Sequence, residues 1–430
     1  MEKTSNRAVT SNGPAPKLSR KIGEFFRFIL AELKPKGRVL TPFNVISGAI
    51  ILLGAVLVVI RFAKGLGAVT NLNQDYPWGV WIGFDVVTGV AFAGGAYVLT
   101  FVVHVLRFKK YEPIVRATVL NGFLAYVFYA GALLLDLGRP WNVVNPIIGK
   151  AFGISSVLFL VAWHFMLYMI CEFIEFAPAV AEWLNWKRVR TFVSSLTMGA
   201  VIFGITLSTL HQSGLGALFL MAPSKIHPLW YSANIPVLFF VSSIFAGLSM
   251  VIIESSISHK IFNSQIDPEH RDSHGDIVLG LGKGAACALF VYIFLKILDF
   301  VHGRHWEEID SPMGYWYLVE TVGFVVLPAA LFVTAVRKKS VSMVQITAIF
   351  AAVGVVLNRL NISIIAFKWY EPVRYYPSWI EVEVTLAVIC LEIWVFRWVV
   401  NRMPVLRKYR EPENETGKEE EVVKWKASHM

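Results

Sequence analysis

Long apolar runs separated by short polar segments fill the chain between residues 43 and 401. A membrane-spanning helix needs about 20 mainly apolar residues, and ten runs reach this length. We predict helices at approximately 43–62, 78–106, 114–137, 151–176, 191–221, 234–258, 276–300, 315–336, 341–365 and 379–401. The fold class predicted is therefore an all-α integral membrane protein. Spans two to five and six to nine would form two four-helix bundles, with the first and last spans peripheral.

The two ends of the chain differ from this apolar core. Leu18, Ile22, Phe25, Ile29 and Leu33 recur at helical spacing beside basic residues, which is typical of an amphipathic helix at a membrane surface. We predict a cytoplasmic tail with this interfacial helix over 1–42, a membrane domain over 43–402 and a charged cytoplasmic tail over 403–430.

Composition excludes a soluble enzyme. Charged residues make up 16% of the chain and hydrophobic residues 56%, whereas an average soluble domain is about 25% charged. The net charge of +10 reflects topology, because 29 of the 40 Lys and Arg residues fall on one side of the predicted spans. Since basic loops stay in the cytoplasm, both termini are predicted to be cytoplasmic, in a bacterial inner membrane, and no nucleic-acid partner is needed.

The chain lacks the motifs that hold redox cofactors. Cys171, Cys287 and Cys390 lie far apart in apolar runs, so no cysteine motif for an iron–sulfur cluster or structural zinc is present. A membrane haem needs two histidines at matching depth, and His104, His164 and His211 are predicted at three different depths. We expect no haem, iron–sulfur cluster or metal in this chain.

Ionisable residues inside the spans carry the functional signal, because each is costly at bilayer depth. His164, Tyr168, Glu172 and Glu175 follow at steps of four, four and three, which places them on one helix face. Together with residues at comparable depth in other spans, they predict a proton path from the cytoplasm. The alternative is that the glutamates lie near helix ends and pair with Lys or Arg. The residues added to the path are Glu254, Lys283 and Glu392.

A second polar set lies toward the opposite side. His211 and Asp85 are suited to bind a quinone headgroup and exchange its protons, so they are the predicted catalytic pair. The alternative is that both side chains only tie helices together. Lys296 and Asp299, one turn apart, are predicted to form an ion pair. The remaining residues predicted to bind quinone are Tyr76, Trp78, Trp81, Asp136, Arg139, Gln212 and Arg359.

Loops on that same outer side are rich in aromatic residues and proline. Interfacial Trp and Tyr are ordinary in membrane proteins, but here Trp is concentrated on one side. This bias suits a rigid platform for a partner protein or a flat ring-shaped ligand. The loop sequences are NLNQDYPWG, GRPWNVVNP, SKIHPLWYS, GRHWEEIDSPMGYW and KWYEPVRYYPSW.

Several motifs in order resemble the HybB-like branch of the NrfD/polysulfide reductase membrane subunits, the type found in hydrogenase 2. The resemblance covers roughly residues 41–405. The motifs are Tyr76-Pro77-Trp78-Gly79 with Asp85, Gly138-Arg139 with Trp141-Asn142, Glu175-Phe176-Ala177-Pro178, Leu210-His211-Gln212-Ser213, His227-Pro228-Leu229-Trp230, Arg359-Leu360-Asn361 and Tyr376-Pro377-Ser378-Trp379.

The resemblance implies a ten-helix subunit that exchanges electrons between menaquinone, as bound substrate, and periplasmic subunits. These would be an iron–sulfur ferredoxin-like protein or a multihaem cytochrome c, with a [NiFe] hydrogenase as the ultimate donor in HybB-like complexes. Such a chain acts within a quinone oxidoreductase complex and is not an enzyme alone.

One position departs from the family pattern. After Ser156-Val157-Leu158-Phe159, HybB-like subunits usually have glutamate, and this chain has Leu160. His164, one turn further on, is the candidate substitute. The change puts the hydrogenase-type proton route and the hydrogenase partner in doubt. Two other functions stay open: a catalytically silent membrane anchor for a redox complex, and a secondary transporter, although the spans show no obvious inverted symmetry.

Overall fold

The computed structural model describes residues 18–36, 38–145, 153 and 155–407. This part of the chain is almost entirely helical, and an isolated bridge between Ile226 and Phe367 is its only β pairing. The all-α prediction is confirmed. Most of the charged tail predicted after residue 403, and residues 1–17 of the N-terminal tail, lie outside the described residues.

Eleven helices follow one another along the described residues. In chain order they are α1 (Leu18–Leu33), α2 (Pro42–Lys64), α3 (Trp81–Val105), α4 (Glu112–Asp136), α5 (Val157–Trp183), α6 (Lys187–Phe219), α7 (Ile235–Ile261), α8 (Pro268–His302), α9 (Pro312–Arg337), α10 (Val341–Ile365) and α11 (Trp379–Val400).

Nine of the described helices, α2 to α10, are long and apolar enough to cross a membrane. Helix α11 coincides with the tenth predicted span and has 22 residues. It falls outside the nine because it contains four charged residues, Glu381, Glu383, Glu392 and Arg397. The structure therefore confirms a multi-span membrane protein, and the count of ten depends on whether α11 also crosses.

The helices pack in two sets of four. Helices α3 to α6 contact one another, α7 to α10 form the second set, and α3 and α6 both contact α7. Helix α11 packs against α4, and α2 reaches α11 where the Trp394 indole donates to Ser47 Oγ at 2.9 Å. This is the predicted arrangement of two bundles and two peripheral helices.

Small residues allow α3 and α7 to cross in direct backbone contact. A Cβ placed on Gly247 would lie 2.0 Å from the backbone nitrogen of Gly95. Close crossings through glycine are a common way for membrane helices to pack, because van der Waals contact replaces the hydrophobic effect there. This crossing joins the two four-helix sets.

Three helices contain π-helical turns, which often mark functional sites. They are Trp81–Val86 and Phe101–Val105 in α3, Val319–Val326 in α9 and Asn361–Ile365 in α10. The α3 and α10 turns touch, since a Cβ on Gly83 would lie 2.4 Å from Ser363 Oγ. Asp85, Glu320 and Asn361 all belong to these turns.

The loops define two ends of the membrane domain. We call the end with loops 106–111, 184–186, 262–267 and 338–340 the inner end, and the end with loops 65–80, 137–145, 220–234, 303–311 and 366–378 the outer end. Outer loops bind one another: the His227 backbone nitrogen donates to the Ala366 carbonyl at 2.9 Å, and Asn71 Nδ2 donates to the Tyr376 carbonyl at 3.0 Å.

The described residues up to Ile46 form a unit of their own. Within it, α1 exposes the apolar side chains of Phe26, Leu30 and Leu33, and Arg27 is also exposed. The position of α1 at a membrane surface stays a prediction.

Candidate functional site

His211 lies buried between three helices. Its ring is 1% exposed, and Nδ1 is 3.2 Å from the Val161 carbonyl oxygen of α5. Because a carbonyl only accepts, Nδ1 carries the proton in the neutral ring and Nε2 has the free lone pair. Nε2 is buried and meets no hydrogen-bond partner among the described residues. His211 can therefore act as a base or, once protonated, as an acid through Nε2.

Tyr126 of α4 connects His211 to the polar face of α5. The centroids of the Tyr126 and His211 rings are 5.7 Å apart, and those of Tyr126 and Tyr168 are 4.7 Å apart. Glu172 lies one turn after Tyr168 on the same face of α5. Tyr126, Tyr168 and Glu172 are each at most 1% exposed, so the polar groups lie inside the protein and away from lipid.

A gap in α4 accommodates the Glu172 carboxylate. A Cβ on Gly122 would lie 2.5 Å from Glu172 Oε1 and 2.7 Å from Ala96 Cβ. Both Glu172 oxygens are buried without a hydrogen-bond partner in the described part of the chain. Burying a carboxyl group without hydrogen-bond partners lowers the stability of the folded protein. Such a residue is therefore better explained by a functional role than by a structural one.

Glu175 connects this series to the inner end. It lines a cavity of about 810 Å³ between α4, α5, α6 and α8. Beside it, Glu182 accepts hydrogen bonds from Arg116 Nη1 at 2.6 Å and Arg190 Nε at 3.1 Å. The cavity gives Glu175 contact with polar surroundings. We name the series Glu175, Glu172, Tyr168, Tyr126 and His211 the His211 line.

Asp85 lies apart from His211, beside α11. It is 0% exposed, and its Oδ2 accepts a hydrogen bond from Thr385 Oγ1 at 3.0 Å. Its Oδ1 is buried with no partner among the described residues. The structure therefore does not place the two predicted catalytic side chains in contact.

The neighbours of Asp85 serve structural purposes. The Trp81 indole donates to the Glu381 carbonyl oxygen at 3.0 Å, while the Glu381 carboxylate accepts from Ser378 and caps the start of α11. Near Asp136, buried Arg61 of α2 donates to the carbonyl oxygens of Leu135 and Leu137. These contacts fix the outer ends of α2, α4 and α11 around Asp85.

Arg359 belongs to a different polar cluster, in the second four-helix set. Its guanidinium donates to Asn358 Oδ1 at 2.8 Å and to Ser242 Oγ at 2.6 Å. Asn358 donates to Glu320 at 2.8 Å, and Glu320 also accepts from Asn361 and from the Trp230 indole. We name Glu320, Asn358, Arg359, Asn361 and Trp230 the Glu320 cluster.

The other predicted quinone-binding residues lie in several places. Gln212 donates to the Val90 carbonyl at 2.8 Å and ties α6 to α3. Tyr76 and Trp78 pack against Phe367 within the outer loops, and Arg139 is exposed at that end. Only Gln212 is therefore close to His211.

The residues of the predicted proton path also lie in different places. Lys283 is exposed on α8 and His164 is half-buried on α5, with Nδ1 buried and unpartnered among the described residues. Glu254 and Glu392 lie on α7 and α11, away from the α5 face. Leu160, which replaces the usual glutamate, is 41% exposed, so its position faces outward.

The predicted ion pair of Lys296 and Asp299 is wrong. Lys296 Nζ lies over the Tyr317 ring, 4.6 Å from its centroid. Asp299 Oδ1 instead accepts a hydrogen bond from Asn234 Nδ2 at 3.1 Å. The two side chains are near each other in sequence, but packing against α9 and the α6–α7 loop gives each a different partner.

Sequence reasoning missed the tyrosines that join the helices. Tyr126 and Tyr129 of α4 look like ordinary core aromatic residues within an apolar span. Two features of the sequence could have identified them. Tyr126 and Tyr129 are three residues apart, and Gly122 is four residues before Tyr126, so all three lie near one face of α4. No group of three His, Cys, Asp or Glu side chains in the described residues is arranged to hold a metal ion.

Outer-loop histidines are also buried. His227, 2% exposed, packs against Trp369 with ring centroids 4.6 Å apart, and its Nδ1 accepts from the Leu229 nitrogen at 3.2 Å. Burial lowers the pKa of His227, and nearby Glu308 partly opposes this effect. Burial also lowers the pKa of His305. The surroundings of His227 and His305 therefore favour the neutral form of each imidazole ring.

Comparison with known proteins gives consistent relatives. The family model for NrfD, polysulphide reductase, matches residues 68–368. A protein of Nitratidesulfovibrio vulgaris (strain Hildenborough) is 42% identical over 376 residues, covering 87% of this chain and 96% of that protein. The probable Ni/Fe-hydrogenase 2 b-type cytochrome subunit of Escherichia coli K12 is 28% identical over 86% of this chain and 94% of its own length. A selenate reductase subunit of Mesobacillus selenatarsenatis is 21% identical over 87% of this chain and 96% of its own length.

Proposed function

The chain belongs to the NrfD family and is a multi-pass membrane subunit of a respiratory redox complex, and from this premise we propose that it exchanges electrons between menaquinone and redox subunits on the outer side. The electron-carrying partners would be an iron–sulfur ferredoxin-like protein or a multihaem cytochrome c. The hydrogenase and selenate reductase relatives support a redox partner, and a [NiFe] hydrogenase is one candidate.

The observation that carries this proposal is the His211 line. It joins a base with a free Nε2 to a glutamate that lines the inner cavity, through buried groups that can each pass on a proton. A quinone needs hydrogen-bond donors for its carbonyl oxygens and a proton for each oxygen when it is reduced. His211 would bind one carbonyl and exchange its proton, and Tyr126 would connect it to Glu172.

Exposed aromatic side chains at the outer end support a partner at that face. Trp141, Tyr376 and Trp379 are 71%, 73% and 65% exposed. The segment that leads from Tyr376 into α11 is held by hydrogen bonds from Asn71 to Tyr376 and from Ser378 to Val69. Exposed aromatic groups on a rigid frame are common in protein interfaces. The partner would bring the iron–sulfur or haem cofactors that this chain has no motif to hold.

The relative from E. coli is named a b-type cytochrome subunit, so a haem in this chain has to be considered. The pair of His164 and His211 lies on neighbouring helices, but the His211 ring is packed against Tyr126 and Phe165, with centroids 5.7 and 5.5 Å away. These rings occupy space beside the imidazole that a porphyrin would need, and our proposal includes no haem.

To test the quinone site, we would replace His211 by Gln in the assembled complex and follow turnover of a soluble menaquinone analogue. General acid–base groups contribute about 100-fold or more to rate, so turnover should fall by that order. Glu172→Gln should slow turnover and also reduce proton uptake into the reaction in vesicles. The control is His302→Gln, an exposed histidine at the outer end of α8.

Unchanged turnover in both variants would eliminate this site. If in addition the purified complex contained no quinone, the protein would be a silent anchor. Normal turnover in Glu172→Gln, together with slow turnover in His211→Gln, would keep the quinone site and remove the proton route.

We further propose that the inner end is cytoplasmic in a bacterial inner membrane, with α1 on that surface. Most basic residues fall in the two terminal segments and at or near the inner ends of the helices, which supports this orientation. The apolar face of α1 is typical of a helix at a membrane surface. A cysteine replacing exposed Arg374 should react with an impermeant maleimide on intact cells, and one replacing exposed Arg188 should not. The reverse labelling would invert the topology.

A further inference from the structure

A second series of buried polar side chains begins at Asp85. Its unpartnered Oδ1 and its hydrogen bond to Thr385 place the carboxylate against α11. Glu392 lies seven residues after Thr385, which is two turns along the same face of α11 and about 10 Å toward the inner end. Helix α11 therefore carries polar groups from Asp85 toward the inner half of the protein.

Tyr129 of α4 connects Asp85 with Glu392. Its ring packs on the backbone of α3 one turn after Asp85, because a Cβ on Gly89 would lie 2.4 Å from the ring. Its hydroxyl is within reach of the Glu392 carboxylate on α11, the helix that packs against α4. Tyr129 is one turn from Tyr126, so a single helix supplies the tyrosine for both series.

The second series reaches the inner half of the protein at a different glutamate from the first. Both oxygens of Glu254 on α7 are buried without a hydrogen-bond partner in the described residues. The Glu254 carboxylate is close enough to Glu392 for the two groups to affect each other electrostatically. Glu254 lines a cavity of about 40 Å³ between α4, α7 and α8, enough for about two or three water molecules. His259 and His274 line it too, with ring centroids 4.2 Å apart.

We propose that Glu254, Glu392, Tyr129 and Asp85 form a second proton route, independent of the His211 line. This inference rests on the proposed quinone function. Reduction of a quinone takes two electrons from the redox partner and two protons, and converts both carbonyl oxygens to hydroxyls. Each route supplies one proton: the His211 line serves one oxygen and the Asp85 route serves the other. In quinol oxidation both transfers run in reverse.

Two features make separate routes physically reasonable. The two acid–base side chains have different neighbours, since His211 packs against Tyr126 and Asp85 accepts a hydrogen bond from Thr385. Each series also ends at its own glutamate, Glu175 or Glu254, and these line two adjacent cavities.

The test uses the complete complex in vesicles, with turnover of the menaquinone analogue measured in H₂O and D₂O. Glu254→Gln and Glu392→Gln should each lower turnover at least fivefold and raise the solvent isotope effect, which a purely structural change would not do. Glu254→Asp keeps an acid and should restore part of the rate. Asp272→Asn, at an exposed inner-end position of α8, is the matched control and should behave like the parent.

The outcomes separate this inference from the proposed function. Slow turnover in Glu172→Gln with parental turnover and isotope effect in both Glu254→Gln and Glu392→Gln would overturn the second route alone. Parental turnover in Glu172→Gln and His211→Gln would overturn the proposed function itself. If Glu254→Gln does not assemble, the isotope effect in Glu254→Asp and Glu392→Gln decides, and a parental value in both contradicts the route.

Discussion

At the scale of single residues, the feature that distinguishes this protein is a set of buried polar atoms without partners. Asp85 Oδ1, His211 Nε2 and both oxygens of Glu172 and Glu254 belong to it within the described residues. Leaving a buried polar group unpaired costs about 1–3 kcal/mol. Violations of this rule tend to occur at functional sites. The Glu320 cluster is different, because its carboxylate is fully hydrogen-bonded, as in a structural network.

Gly122 offers a way to disturb Glu172 without removing its charge. In Gly122→Ala the new methyl group would lie 2.5 Å from the carboxylate oxygen, so Glu172 has to move. We expect slower quinone-analogue turnover and a lower melting temperature of the complex in detergent.

Gly131 on the same helix is the matched control for that change, because a Cβ there meets nothing within 4 Å. Gly131→Ala should leave turnover unchanged and stabilise α4 by up to about 1 kcal/mol through helix propensity. Equal behaviour of the two variants would mean that the position of Glu172 does not matter for turnover.

At the scale of elements, α4 is the helix on which the site depends. It carries Gly122, Tyr126 and Tyr129, and it packs against α3, α5 and α11. Helix α5 provides the acidic face, α6 provides His211 and α11 provides Thr385 and Glu392. The His211 line and the series that begins at Asp85 therefore depend on how α3, α5, α6 and α11 are rotated relative to α4.

The crossing of α3 and α7 should determine whether the two helix sets stay together. In Gly247→Ala the methyl group would lie 2.0 Å from the Gly95 nitrogen, and backbone cannot move aside as a side chain can. Overpacking destabilises a protein by about 1–3 kcal/mol, and we expect Gly247→Ala to lose stability near the upper end of this range. Thermal unfolding of the detergent-solubilised complex measures the loss.

Gly199→Ala on α6 is the comparison for this prediction, since a Cβ there also meets nothing within 4 Å. Its melting temperature should equal or exceed that of the parent. Parental stability of Gly247→Ala would show that the two helices are not in backbone contact.

At the scale of the whole molecule, the two ends of the protein differ in chemistry. The inner end has cavities that reach Glu175 and Glu254, whereas the outer end is closed by loops that pack through aromatic rings and backbone hydrogen bonds. This asymmetry fits a protein that takes protons from one side and meets a redox partner on the other.

The outer loops should lose stability in acid. Because burial lowers the pKa of His227, the unfolded loop binds more protons than the folded one below the ordinary histidine value of about 6.5. The stabilisation is therefore complete above about pH 6.5 and decreases as the pH falls toward the lowered pKa. Hydrogen exchange of residues 225–231, corrected for intrinsic rates, should be faster at pH 5.5 than at pH 7.5.

His227→Asn supplies the control for the pH effect. Its side chain can still accept from the Leu229 nitrogen but does not titrate, so the difference between the two pH values should shrink. Identical protection of the parent at both pH values would rule out a contribution from His227.

The sequence by itself determined the class of the protein, the position of nearly every helix and the acidic face of α5. These properties follow from local hydrophobicity and helical periodicity, which need no knowledge of neighbours. The motifs also identified the family, which the comparisons confirm. The number of membrane spans does not follow from composition alone, because the glutamates of α11 make that helix less typical of a membrane span.

Only the tertiary structure decided which polar residues act together. It joined His211 to Glu172 through Tyr126, moved Asp85 to a separate series with Tyr129, and placed Arg359 in the Glu320 cluster. It also left Lys283 exposed on α8. These outcomes depend on the rotation and crossing of helices far apart in the chain, and a hydrophobic pattern read along one span contains no information about which face meets which neighbour.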